Sequence, residues 1–140
     1  MATKGGFRRQ GAHEWSADCR PDALHAACEG SLRRLVLDGI GLYQLHVVDA
    51  AVPIEESVGT LSELQSEGKV VALGVCNVDL EQLARARSTA EIVSVQNRLS
   101  LAELAALDRE RLWSYCANRV ARRARIHAVR ARGALRGRAR

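Results

Sequence analysis

Proline is nearly absent, at two residues in 140, and aromatic side chains make up only 4% of the chain. With 47% hydrophobic residues, so little proline excludes a proline-rich disordered chain and predicts a globular one with its own core. No apolar run reaches the ~18 residues of a membrane-spanning helix. Met1 to Arg9 contain no apolar stretch of the secretory-signal type, so a cytoplasmic protein with no membrane partner is expected. Cysteine is present but scattered. Cys19, Cys28, Cys76 and Cys116 fit neither zinc-ribbon nor redox-pair spacing, which points to reduced thiols. His13, Cys19, His25 and Cys28 form no recognised ligand pattern either, so no metal is expected.

Acidic residues are missing from one stretch. Residues 119–140 hold nine arginines and no Asp or Glu. The whole chain is +5; taking nine from its 21 basic side chains leaves 12 against 16 acidic ones, so the remainder is −4. The body therefore gives no reason to expect a nucleic-acid surface. Three readings of the tail stay open: out-of-frame coding at the end of a broken gene, a disordered extension, or an arm for anionic surfaces. No aromatic residues interleave with its arginines for base stacking, so nucleic acid is not the expected partner.

Between these limits, apolar strands alternate with amphipathic helices. Ala2-Thr3-Lys4 reads as the end of a strand and residues 5–18 as a loop. Pro21 and Asp22 open a helix whose apolar face is Leu24, Ala27, Cys28, Ser31, Leu32 and Leu35. Ile40 to Leu45 reads as a buried strand. A second helix carries Ile54, Val58, Leu61 and Leu64, with Gly68 placed for a left-handed cap. Lys69 to Val75 is the clearest strand, lacking polar alternation as if covered on both faces. Asp79 and Gln82 are spaced as a capping box for a third helix with Leu80, Leu83 and Ala84 inward. Glu91 to Gln96 is another strand, and a fourth helix is expected over Leu101 to Cys116. Helices between successive strands imply parallel pairing, so a doubly wound sheet and a piece of a (β/α)₈ barrel both fit. No glycine-rich phosphate fingerprint follows any strand, which counts against a Rossmann unit.

In a parallel α/β protein, chemistry gathers at the carboxyl ends of the strands. Lys4, His46, Cys76 with Asn77, and Gln96 with Asn97 stand there. Alone, a rim histidine is as often structural as functional, Lys4 is an ordinary surface charge and Asn77 is turn chemistry. Four polar strand ends converging on one rim predict a polar pocket.

The same residues resemble the aldo/keto reductase family. Leu42-Tyr43-Gln44-Leu45-His46, followed by Asp49, resembles the family's catalytic-histidine strand, and Gly30-Ser31-Leu32-Arg33-Arg34-Leu35 the helix before it. Thr3-Lys4-Gly5-Gly6 is similar to its lysine strand, Glu67-Gly68-Lys69-Val70 with Gly74-Val75-Cys76-Asn77 to its next strand, and Val95-Gln96-Asn97 to the one after. Order and spacing agree over residues 2–116. The resemblance implies a partial (β/α)₈ barrel of about four units in residues 1–118, with 119–140 as a separate tail. It implies reduction of small aldehydes or ketones by hydride from NADPH or NADH. Lys4 matches the lysine that lowers the pKa of the family's proton-donating tyrosine, and His46 the histidine that orients the substrate carbonyl. Cys76, Asn77 and Gln96 match the positions that hold the nicotinamide carboxamide.

Two positions depart from the pattern. Cys76 replaces a usual serine, a weaker hydrogen-bonding group, and Gly41 replaces a common aspartate. Neither Tyr43 nor Tyr115 matches the proton donor's motif; that tyrosine and its aspartate belong before the lysine strand. About four of eight strands are expected, leaving open sheet edges, a tendency to self-associate, and no carbonyl reduction by the chain alone. The alternative is a non-catalytic binding remnant.

Overall fold

Short apolar runs become strands here only where a neighbouring strand is in register to receive them. The computed structural model describes residues 1–12, 14–99 and 129–130. The chain runs β1 (Ala2–Gly5), β2 (Phe7–Arg9), β3 (Trp15–Ala17), α1 (Pro21–Leu35), β4 (Leu42–Leu45), α2 (Ile54–Ser66), β5 (Leu73–Cys76), α3 (Leu80–Thr89) and β6 (Ile92–Gln96). A two-residue strand β7 (Arg98–Leu99) pairs in parallel with β8 (Val129–Arg130). The helix expected over 101–116 and the rest of the arginine-rich tail lie outside the described residues.

The helix ends follow their local chemistry. Pro21 opens α1 and Asp22 sits in its first turn, against the positive end of the helix dipole. Asp79 and Gln82 form a reciprocal capping box on α3: the Gln82 amide donates to Asp79 Oδ1 at 2.7 Å, and the Asp79 amide to Gln82 Oε1 at 3.0 Å. Gly68, at φ 77°, closes α2 in a Schellman turn, its amide donating to Gln65 O while Lys69 donates to Leu64 O. α1 ends less comfortably, on Val36 at φ 53°, a β-branched residue in the left-handed region and 88% exposed.

β1, β4, β5 and β6 form one parallel sheet in chain order, with Lys4 beside Gln44, Gln44 beside Gly74 and Gly74 beside Ser94. Sequential order with right-handed crossovers puts every connecting helix on the same face. Accordingly Tyr43, Leu45, Leu73, Val75, Ile92 and Val95 share one core with Leu24 and Cys28 of α1, Val58, Leu61 and Leu64 of α2, and Leu83 and Ala86 of α3. A doubly wound sheet divides its helices between two faces, so the arrangement is an arc of a (β/α)₈ barrel. A register shift between Leu73 and Gly74 lets both Ile92 and Val95 join this core.

The other face is polar yet closed. Gln44 Nε2 donates to Ser94 Oγ at 3.1 Å, and both residues are under 5% exposed. The bond passes over Gly74, where a Cβ would lie 2.9 Å from Gln44 Cγ and 3.0 Å from the Ser94 carbonyl oxygen. Gly5 serves the helix side in the same way: a side chain there would collide with the Tyr43 hydroxyl.

Four expectations are corrected. The strand expected over Lys69–Val75 begins at Leu73 and ends at Cys76, because before it only Val70 pairs, in an isolated bridge to Ile40, and Val71 is 68% exposed. The strand expected from Ile40 likewise starts at Leu42. Residues 5–18 are not a plain loop, since β2 and β3 form an antiparallel hairpin. On α3 it is Ala86, not Ala84, that is buried with Leu83.

Replacing Val36 with glycine removes a left-handed conformation that costs an L-residue about 1–2 kcal/mol, against roughly 0.5–1 kcal/mol of added unfolded-state entropy. V36G is expected to raise the urea midpoint, by a net gain of about 0.5–1 kcal/mol. A lower midpoint would mean that Val36 makes a stabilising contact.

Candidate active site

Parallel strands deliver their carboxyl ends to one edge, and the residues there are in contact. Lys4 is the penultimate residue of β1, His46 directly follows β4, Cys76 ends β5 with Asn77 next, and Gln96 ends β6. His46 N–H donates to Gly5 O at 2.8 Å, fastening β4 to β1. Asn77 fastens both its neighbours: its amide N–H donates to Gln96 O at 3.1 Å and its side-chain Nδ2 to His46 O at 3.1 Å. Asn77 does so at φ 55°, a left-handed conformation that asparagine tolerates better than most residues. The Cys76 thiol points to Gln96 Oε1 at 3.9 Å, a weak S–H contact.

Lys4 connects the remaining groups. It lies close enough for its positive charge to act on both Cys76 and His46. Burial, and then the Lys4 cation, hold the His46 imidazole below the ordinary histidine pKa, so it is neutral at pH 7. Burial raises the Cys76 thiol, and Lys4 only partly opposes this, so Cys76 is a protonated thiol rather than a thiolate nucleophile. Lys4, His46, Cys76, Asn77 and Gln96 thus lie along one edge of the sheet, at the carboxyl ends of its strands.

Asn97 stands apart in role. Its side chain clasps the Val78 backbone, accepting from Val78 N–H at 3.1 Å and donating to Val78 O at 2.6 Å. It splints the two strand ends, and both of its polar atoms are engaged. Asp49, in the loop after His46, accepts from Cys19 N–H at 3.1 Å and from Ala51 N–H at 2.9 Å. That clamp helps to bury Cys19, whose thiol burial pushes up to about 11.

Tyr43 is on the opposite side of the sheet from this rim. It is fully buried among the helices, its hydroxyl lacks a hydrogen-bond partner, and burial raises its pKa further. A group so placed cannot protonate a substrate at the strand ends.

Phe7 escaped the sequence reading. Its ring meets the His46 imidazole in a T-shaped contact, centroids 4.9 Å apart and planes at 89°. The three-residue strand that carries it has no hydrophobic period to reveal a hairpin; the available signal was an aromatic three residues beyond Lys4. Among the described residues, no cluster of His, Cys, Asp and Glu is arranged to hold a metal, and no helix is long and apolar enough to cross a membrane.

The model of the aldo/keto reductase family matches residues 1–138 of this chain, a span that runs past residue 118. A Glycine max protein named Probable aldo-keto reductase 1 is 38% identical over 101 residues, covering 72% of this chain and 29% of its own length. The glycerol dehydrogenase of Gluconobacter oxydans superposes with a TM-score of 0.77 at 32% identity, over 91% of this chain and 38% of that one. An aldo/keto reductase from Klebsiella pneumoniae, solved with NADP and acetate, gives 0.64 at 30% identity over 79% and 38%. The chain thus spans about a third of the length of these relatives.

The depressed pKa of His46 has a consequence for stability. In the unfolded chain His46 returns to about 6.5. Below that pH the unfolded state binds a proton that the folded state resists, so stability falls as pH falls through this window. Asp18, Glu29 and Glu55, each lowered chiefly by a hydrogen bond to a basic partner, act at more acidic pH. The urea midpoint is expected to drop between about pH 7.5 and 5.5, and H46Q to flatten that slope. An unchanged slope in H46Q would place the titration elsewhere.

Proposed function

The chain belongs to the aldo/keto reductase family, and from that membership we propose that its strand-end pocket is the carbonyl-handling rim of an NAD(P)H-dependent reductase of aldehydes or ketones. A nicotinamide cofactor, NADPH or NADH, supplies the hydride when bound. His46, neutral at pH 7, offers an imidazole N–H as hydrogen-bond donor to a carbonyl oxygen. Lys4 brings a fixed positive charge to the same cavity mouth, which favours the anionic form of an acid placed beside it and stabilises negative charge building on oxygen. One observation carries this reading: four adjacent parallel strands end together, with His46 bonded to Gly5 beside Lys4 and Asn77 bonded to both His46 and Gln96.

Cys76, Asn77 and Gln96 are the residues we assign to a nicotinamide carboxamide. Their chemistry fits the group. A carboxamide carries an N–H donor and a carbonyl acceptor. Among the described residues, the Gln96 side-chain oxygen Oε1 meets a thiol at 3.9 Å, which an amide N–H displaces at little cost. Holding that carboxamide sets which face of the ring meets the substrate. A serine hydroxyl in place of the Cys76 thiol would grip more firmly, so weak cofactor binding is expected.

We divide the chain at residue 118, with 119–140 as an arginine-rich tail. We also place it in a reducing compartment, the cytoplasm, on the strength of three buried, unpaired thiols at Cys19, Cys28 and Cys76.

Titration of the purified 140-residue chain with NADPH, followed by cofactor fluorescence, is expected to reveal weak saturable binding. Q96A should weaken it by about fivefold, the loss of one hydrogen bond. Neither form is expected to oxidise NADPH with a simple aldehyde, because Tyr43 is buried away from the rim. Absence of binding at millimolar cofactor would remove the carboxamide assignment, and turnover by the isolated chain would contradict the proposed inactivity.

A further inference from the structure

We propose that Phe7 is a positioning residue for His46: carried over the rim by the β2–β3 hairpin, its ring fixes the plane of the imidazole and leaves the ring nitrogens to a ligand. The inference deepens the reading of the rim as a carbonyl site and rests on it for the role of His46.

The geometry begins at the base of the hairpin. Gly6, at φ 105°, turns the chain between β1 and β2, and a Cβ there would lie 3.0 Å from Cys19 Sγ. The turn is held from both sides, since Asp18 N–H donates to Gly6 O at 3.0 Å and His46 N–H to Gly5 O at 2.8 Å. Phe7 follows immediately and is paired to Ala17. Its position relative to His46 is therefore set by backbone hydrogen bonds on either side, not by a free loop.

His46 itself is tied down only through its main chain. Its N–H donates to Gly5 and its carbonyl accepts from Asn77. Neither bond restrains the side-chain torsions. No hydrogen bond from another described residue reaches the imidazole nitrogens, and the contact made by the ring is the perpendicular one with Phe7. That distance and angle fall in the favourable range for aromatic pairs, on the order of 0.5–1.5 kcal/mol beyond simple burial. A phenyl ring has no donor or acceptor to compete for the nitrogens. It can restrain the imidazole and screen it from water while the ring N–H stays free to donate to a carbonyl oxygen.

The charge that acts on His46 is that of Lys4 on β1, which also acts on Cys76 of β5; Arg8, next to Phe7 on β2, acts on Asp18 instead. The Asp49 carboxylate is turned to the amides of Cys19 and Ala51. Exchanging Phe7 for leucine changes none of these charges, so a change in His46 reports on the ring.

The test is NMR of the full chain with labelled histidine, the His46 signals being assigned by their loss in H46Q. In the wild type, cross-relaxation between Phe7 ring protons and the imidazole is expected, with the His46 protons displaced by the ring current. F7L is expected to abolish that displacement and move the His46 titration midpoint up toward about 6.5, while Phe7→Tyr retains both. Unchanged His46 shifts and midpoint in F7L would overturn the proposal. So would absent cross-relaxation in the wild type, a measurement that depends on no variant. Neither readout needs cofactor or turnover, so failure to bind NADPH leaves this test standing and refutes only the carboxamide assignment.

Discussion

Everything at the rim depends on strand parity. In four parallel strands, alternate residues face alternate sides except at the register shift between β5 and β6, and the right-handed crossover commits all helices to one of them. Tyr43, Leu45, Leu73, Val75, Ile92 and Val95 fall on the helix side and make the core. Gln44, Gly74 and Ser94 fall on the other, where a hydrogen bond over a glycine seals the floor under the strand ends. Shifting any strand by one residue would exchange these roles, burying polar side chains under the helices. Core packing and site construction are therefore one constraint, and the apolar energy that fixes register also places the polar groups.

Above that floor the groups differ in kind. His46 is partly desolvated and neutral, Cys76 is a buried thiol, and Lys4 supplies the charge that both feel. Asn77 and Asn97 hold the rim in shape: one stitches three strand ends, the other clasps Val78. The division of labour between two neighbouring asparagine-bearing turns is physical. Asn77 is exposed in a left-handed conformation at the strand ends, whereas the Asn97 amide is spent on backbone.

Much of this was legible in the sequence. Lys4, His46, Cys76, Asn77 and Gln96 stand at strand ends because each ends an apolar run, and parallel topology then brings them together. The caps at Asp79 and Gly68 were readable because capping depends on residues three or four apart. The hairpin was not, because strands of three exposed residues carry no period, and with it went the Phe7 contact. The early start assigned to the strand at Lys69 has a related cause. Val70 and Val71 have strand propensity, but β4 begins only at Leu42, so Val70 makes an isolated bridge to Ile40 and no ladder extends from it. The two folds that alternation left open were separated by a long-range fact, the single face occupied by α1, α2 and α3.

Lys4, His46 and Cys76 share one strand-end rim in this account, and a single charge deletion tests it. Lys4→Met should raise the His46 titration midpoint, by removing a cation that disfavours imidazolium, and also raise the Cys76 thiol pKa, by removing the cation that favours thiolate. Both can be followed in one pH series by NMR of labelled histidine and cysteine. Two upward shifts are the expected result; a Lys4→Met chain in which neither group moves would contradict the account.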